Sequence, residues 1–299
     1  ELKTVVKSLR VYVDPGKRDL LTMMDDYGRT LRYSNKQRIY ETKRLKYQRL
    51  RHNYRQKTGI LKIEEELKLF NTKTCNLDSF KKYVETRNLL NKKLLEMYQN
   101  PLFRQYKWYG YINTKRSESK LVDRIEKTFG KDINGNEVNI SIMYGDWSIQ
   151  KHLRNFMPTP MIGLKRMIAK RFKVYNFDEF RTSILDYKSD TKCENLYLPN
   201  KEGKLKMKHS ILTYRMENNR LGCRNRDINS VKNMKKLFDY WIKHKEWPIK
   251  YTRTYKFEKE KKDVRDLKMP VKDTLSTSHR PRKIGKRKRS NKVHLQKQD

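Results

Sequence analysis

Apolar and polar positions alternate most clearly near the start of the chain. Leu9, Val11 and Val13 alternate with Arg10, Tyr12 and Asp14, and Val5-Val6 precede them, which predicts a strand. Asp14-Pro15-Gly16-Lys17-Arg18-Asp19 has turn composition, Leu20–Met24 is a second apolar run, and Asp25-Asp26-Tyr27-Gly28 is a second turn before Thr30-Leu31-Arg32-Tyr33. Residues 4–34 therefore read as a three-stranded meander. From Asn35 the period becomes helical, and the stretch to Tyr54 is dense in Arg, Lys and Tyr with few large aliphatics. Gly59 interrupts it. Ile60–Phe70 and Leu77–Tyr98 continue as amphipathic helices, the second with Phe80, Tyr83, Val84, Leu90, Leu94 and Met97 at helical spacing. Tyr106–Tyr111 is an aromatic cluster, in which Trp108 reads as core, as does Trp147 further on, and Leu121–Phe129 is a short helix.

Beyond a turn at Gly130–Asn136, Val138–Met143 alternates as a strand, Gly163–Arg171 reads as a helix and Phe172–Phe177 as a strand. Residues 184–222 show no strong period and read as an irregular insert. Ile228–Lys243 is an amphipathic helix with Val231, Met234, Leu237, Phe238 and Trp241 as its apolar stripe. From Tyr251 the chain is polar and basic, the composition of a disordered tail. There are no internal repeats. Meander, helix, strand, helix, strand, helix is the order of an α/β domain of RNase H-like type, a mixed sheet interrupted by a large helical insertion. The expected organisation is strands one to three in 1–35, the insertion in 36–137, a continuation of the sheet domain in 138–183, an insert in 184–222, a final motif and helix in 223–250, and the tail in 251–299.

Charge changes the picture more than size does. Lys and Arg outnumber Asp and Glu by 73 to 34 in 299 residues, a formal net charge of +39. Self-repulsion at that charge opposes a compact state, so a polyanionic partner that releases counterions is expected. Nineteen tyrosines and ten phenylalanines lie among the basic residues, which suits base or sugar stacking as well as a core. No run of about eighteen apolar residues exists to span a membrane. Cys75, Cys193 and Cys223 are too few and scattered for a disulfide framework, which fits a reducing compartment. The chain opens on Glu1 without a signal peptide, and its first strand begins almost at once, as expected of a piece of a longer protein.

Against this basic background three acids stand out. Asp14 ends the run Val11-Tyr12-Val13-Asp14-Pro15-Gly16. Glu179 lies in Asp178-Glu179-Phe180-Arg181-Thr182-Ser183, and Asp227 in Asn225-Arg226-Asp227-Ile228-Asn229-Ser230. An acid at the mouth of an apolar strand is costly unless a cation or proton meets it. Gathered together, the three carboxylates would repel one another, and a divalent metal is the usual remedy, which points to metal-dependent phosphodiester chemistry. Each motif has an ordinary reading of its own: Asp14-Pro15-Gly16 as a turn, Asn225–Asn229 as a helix N-cap. Their order along these elements is what favours a shared site.

These motifs resemble the RuvC nuclease motifs of the TnpB and Fanzor families, transposon-encoded RNA-guided DNA endonucleases related to type V CRISPR effectors. The Fanzor branch, of eukaryotes and their large viruses, is the more similar. Tyr144-Gly145-Asp146-Trp147-Ser148, Cys193–Pro199 and Leu212–Asn218 add to the likeness, which spans about residues 4–245. The resemblance implies a RuvC-type RNase H-like fold. It also implies Mg²⁺ held by Asp14, Glu179 and Asp227 as catalytic acids, in a two-metal site whose ions stand about 4 Å apart. The second acid is a choice. TnpB proteins place a glutamate at the end of the fourth strand, where this chain has Met143-Tyr144-Gly145-Asp146. Glu179 matches a displaced glutamate of the Fanzor branch, and Asp146, directly after the strand, is its rival.

The resemblance further implies a guide RNA and target DNA as partners, held by shape and backbone while base pairing reads sequence. Arg38, Lys43, Arg44, Lys46, Arg49, Arg51, Arg55, Arg181 and Arg226 are the candidate phosphate contacts. Residues 184–222 would be a degenerate zinc-ribbon-like, target-binding insert. TnpB places a Cys-x-x-Cys pair after Thr-Ser, but Ile184 and Tyr187 stand there, and Cys193 and Cys223 with His209 are a poor ligand set, so zinc is not expected. The run Arg282–Arg289 reads as a nuclear localisation signal, for a nuclear protein or a viral one acting in host nucleus or cytoplasm. The wedge and recognition domains of the N-terminal half have no counterpart, so the chain is expected to be a fragment, the product of a truncated gene or one segment of a larger protein. The expected activity is RNA-guided, metal-dependent DNA cleavage. The rivals are a catalytically idle RNA-binding protein of a ribonucleoprotein and a guide-free transposase of the same fold.

Overall fold

A computed structural model describes residues 8–146, 159–216 and 218–255. Val5-Val6, Trp147 and the basic run Arg282–Arg289 lie outside the described residues. The three predicted N-terminal strands form as β1 (Leu9–Pro15), β2 (Asp19–Asp25) and β3 (Thr30–Ser34). Two further strands, β4 (Ile140–Gly145) and β5 (Lys173–Phe177), join them in one mixed sheet of order β3-β2-β1-β4-β5. The meander is antiparallel, whereas β4 runs parallel to both β1 and β5. Central β1 is covered on both sides, so Val11, Tyr12 and Val13 are all buried instead of alternating with exposed residues.

Five helices occupy the connection between β3 and β4. They are α1 (Asn35–Glu41), α2 (Arg44–Lys57), α3 (Ile60–Glu66), α4 (Leu77–Tyr98) and α5 (Pro101–Phe129). Gly59 breaks the helical run because its φ of 77° lies in the left-handed region, where it caps α3. The aromatic cluster and the short helix predicted for 106–129 are one continuous helix, α5. Its C-terminal half packs Leu121, Ile125 and Phe129 on the sheet beside Leu164 and Ile168 of α6 (Met161–Ile168). Tyr33 of β3 anchors the insertion from the sheet side through a buried 2.7 Å hydrogen bond to Ser117 of α5.

Residues 184–222 are more regular than their pattern predicts. They contain β6 (Glu194–Pro199), β7 (Leu205–Arg215) and the start of β8 (Leu221–Asn225), paired as an antiparallel three-stranded sheet. The first half of β7 is exposed at every position. With no buried face, nothing there imposes a two-residue period. Arg224 of β8 ties this small sheet to the main body. It pairs with buried Asp186, and its guanidinium sits 4.2 Å from each of the Tyr187 and Tyr214 rings.

The opposite face of the main sheet is covered by α7 (Arg226–His244), which buries Val231, Met234, Leu237 and Phe238. Two asparagines in its interior do the positioning. Asn229 Nδ2 donates to Thr182 O (3.2 Å) and Leu185 O (2.6 Å), and Asn233 Nδ2 donates to the same two carbonyls at 2.7 Å each. Asn229 Oδ1 accepts from Tyr187 N–H at 3.2 Å, and Asn233 Oδ1 lies 2.8 Å from the Tyr251 hydroxyl. Both asparagines are fully buried. The tail predicted from 251 therefore begins too early: Tyr251 is buried, Arg253 pairs with Asp178, and Arg181 donates to the Lys250 and Tyr255 carbonyls.

Because Asn229 and Asn233 share acceptors, either amide alone still reaches both carbonyls. Asn229→Ala and Asn233→Ala should each cost about 1–3 kcal/mol, and the double variant more than their sum, since only it strands two buried carbonyls. Urea unfolding of the four proteins checks this; strict additivity would contradict the shared lock.

Candidate acidic site at the strand ends

Side-chain alternation along β1 sends residues 10, 12 and 14 toward α7. Arg10 lies 5.3 Å over the Phe238 ring, the Tyr12 and Phe238 rings are 6.2 Å apart, and Asp14 bonds with Ser230. Four residues of the Asn225–Ser230 segment have separate tasks. Asn225 is the N-cap, accepting the Ile228 N–H at 3.0 Å. Asp227 follows in the first helical turn, Asn229 locks the helix down, and Ser230, one turn on from Asp227, reaches Asp14. Ser230 Oγ also stands 2.9 Å from Thr182 Oγ1.

Glu179 arrives from the other side. Gly145, the last residue of β4, pairs with Phe177, the last of β5, and Glu179 follows two residues later. A Cβ on Gly145 would overlap Glu179 Oε2 and stand 2.8 Å from Pro15 Cδ and 2.9 Å from Glu179 Cδ. The carboxylate thus occupies the space a side chain at the end of β4 would fill, beside the end of β1. Only glycine permits that approach. Asp146 is exposed at the strand end, its N–H donating to Phe177 O at 2.9 Å.

Asp14 records this convergence. Burial pushes its carboxyl well above the usual range, Glu179 and Asp227 push it further, and Arg226 and the Ser230 hydrogen bond oppose them. Asp227 is raised as well, by burial and then by Asp19, against Arg226, Arg32 and His209. Asp19, buried at the start of β2 and paired with Arg32, is a fourth acid that the motifs do not reveal. Arg226, a candidate phosphate contact, touches His209 of β7 and donates to Ser183 Oγ at 3.0 Å. Burial lowers the pKa of His209, and the neighbouring Arg226 guanidinium lowers it further.

Among the described residues no three His, Cys, Asp or Glu side chains form a group able to hold a metal ion by themselves. Mg²⁺ seldom needs one, since it is commonly bound by one or two carboxylates with water and substrate phosphate completing its shell. The donor set fits that open mode: hard oxygen ligands whose mutual repulsion already raises Asp14. Of the zinc candidates, Cys193 is buried, which pushes its thiol up to about 11, and Cys223 is exposed.

The remaining phosphate candidates divide. Lys43, Arg44, Lys46, Arg49 and Arg51 are exposed on or just before α2, and Arg38 is half-buried on α1. Arg55 is taken up by Glu64 of α3, and Arg181, at φ 65°, donates to main-chain carbonyls. The tyrosines of α2 face inward: Tyr47 stacks with Tyr106 at 5.7 Å and Tyr54 meets Phe103 edge-on at 5.4 Å. No helix among the described residues is long and apolar enough to cross a membrane. No protein-family model matches the chain, and no curated protein matches it.

The raised Asp14 has a thermodynamic sign. Its folded pKa exceeds its unfolded value, so the folded state holds the proton longer, and Asp14 destabilises the metal-free fold as pH rises through that folded value. Asp14→Asn should melt above wild type at neutral pH in EDTA, with the gap closing as pH falls toward about 4. Thermal melts across pH check this; a variant less stable than wild type at neutral pH would contradict it.

Proposed function

We propose that the chain is the nuclease portion of an RNA-guided, Mg²⁺-dependent DNA endonuclease of RuvC, RNase H-like type, as its resemblance to the Fanzor and TnpB families implies. The observation that carries this reading is Asp14: an acid at the carboxyl end of the central strand, raised by burial, Glu179 and Asp227 together. The strand order β3-β2-β1-β4-β5, with parallel β1, β4 and β5 ending at one edge, supports it, since ligands of open α/β sheets bind beyond the carboxyl ends of strands. Gly145 supports Glu179 over Asp146 as the second acid.

The chemistry that bound Mg²⁺ would supply is activation of a water and stabilisation of the leaving oxygen. Asp14, Glu179 and Asp227 would hold it. Arg226 sets positive charge beside Asp227, and the N-terminus of α7 adds its favourable field for anions. The exposed basic residues of α2 would track the phosphates of guide RNA and target DNA, and the Arg282–Arg289 run would direct the protein to the nucleus.

With the RNA that co-purifies, Asp14→Ala and Asp227→Ala should each abolish Mg²⁺-dependent DNA cleavage and leave nucleic-acid affinity nearly unchanged, because affinity is spread over many phosphate contacts. Glu179→Ala should fail likewise, and Gly145→Ala should mimic it by displacing the carboxylate. Loss in Asp146→Ala alone would reverse the assignment, and full activity of Asp14→Ala would remove the site. About six to ten phosphate contacts should lower affinity by roughly three to five decades between 50 and 200 mM salt. An RNA-binding structural protein would share that slope and cut nothing; a guide-free transposase would act without RNA.

A further inference from the structure

The inward stripe of α5 is accounted for: Phe103 and Tyr106 meet the tyrosines of α2, Asn113 donates to Tyr47 Oη at 3.1 Å, Ser117 bonds Tyr33, and Leu121 enters the core. The outward stripe is not. Arg104, Trp108, Tyr111 and Lys115 follow at spacings of four, three and four, one face of a helix, and all four are exposed. Trp108, expected in the core, is 58% exposed and Tyr111 53%. Their rings stack at 5.6 Å between centroids and 19° between planes. Lys115 Nζ stands 5.7 Å from the centre of the Tyr111 ring.

A solvent-facing tryptophan and tyrosine, stacked and flanked by a cation at each end, have the composition of a surface that binds unpaired nucleotides. Aromatic faces take bases of any sequence, and the cations take the phosphates on either side. An apolar protein partner would match the two rings but leave Arg104 without counter-charge; Lys115 pairs with Glu118 at 3.2 Å, an exposed pair that a phosphate can exchange with. A blunt duplex would match the cations and offer no base face. We infer that the Arg104–Trp108–Tyr111–Lys115 face of α5 is a stacking platform for an unpaired stretch of nucleic acid. This rests on the nucleic-acid reading above, but not on the acidic site, which belongs to another part of the fold.

The test uses the full chain in EDTA, titrated with a short mixed-sequence single-stranded DNA and with the blunt duplex of the same length. Wild type should favour the single strand. Trp108→Ala and Tyr111→Ala should each lower single-strand affinity by about 10- to 100-fold, the effect of removing one stacked base. Duplex affinity and the salt slope should stay within about twofold, since the phosphate contacts remain. Trp108→Phe should keep most of the binding, and thermal melts should be unchanged because both rings are exposed. Equal loss on duplex and single strand, or no loss on either, would overturn the platform while leaving a nucleic-acid-binding protein. Self-association of wild type that Trp108→Ala abolishes would overturn it in favour of a second copy on this face. Failure of wild type to bind either DNA would sink the broader reading too.

Discussion

Asn229 and Asn233 reach from one side of α7 to the same two backbone carbonyls, Thr182 O and Leu185 O, and everything at the acidic site depends on that double clasp. The helix carries Asp227 and Ser230; the clasped turn begins at Glu179. With no such tie, α7 would rest on single polar contacts such as Ser230–Thr182 and Lys236–Asp190, and on its apolar stripe against β1 and β2, a contact that tolerates small slides. Four buried hydrogen bonds to fixed carbonyls do not. They leave either carbonyl stranded if the helix shifts, so helix and turn move as one body against the end of β1.

Within that frame the electrostatics run against the rest of the molecule. A chain with a formal +39 has cations enough to neutralise every carboxylate, yet around Asp14 it brings acids together and leaves Arg226 as the opposing charge. The cations go elsewhere, to the open face of α2 and to ion pairs such as Arg32–Asp19 and Arg224–Asp186. Placing like charges in a half-buried cluster weakens the fold without a further cation.

Much of this architecture is legible in the residues themselves. The meander is, because Asp14–Asp19 and Asp25–Gly28 punctuate apolar runs, and α7 is, because Val231, Met234, Leu237 and Phe238 repeat at helical spacing. Asp14 and Asp227 stand out for the same reason. The rest depends on contacts between distant segments. Nothing local says that Gly145 makes room for Glu179; that becomes visible only when β4 and β5 lie side by side. The β6–β8 sheet hides because its strands lack a buried face to impose a period. Trp108 misleads because size and hydrophobicity point inward, whereas the stripe from Phe103 to Leu121 already fills that side of α5. The clasp does leave a local signal: two asparagines four apart inside a helix run against propensity, and such residues are kept where their amides have buried partners.

The central claim is that Asp14, Glu179 and Asp227 share a divalent cation. A crystal of the full chain soaked in Mn²⁺, examined by anomalous scattering at the manganese edge, tests it most directly. The account predicts a peak touching Asp14 and at least one of Glu179 and Asp227, which Asp14→Ala removes. Saturating Mn²⁺ with no peak at Asp14, or a peak held by Asp146 in place of Glu179 and Asp227, would contradict it.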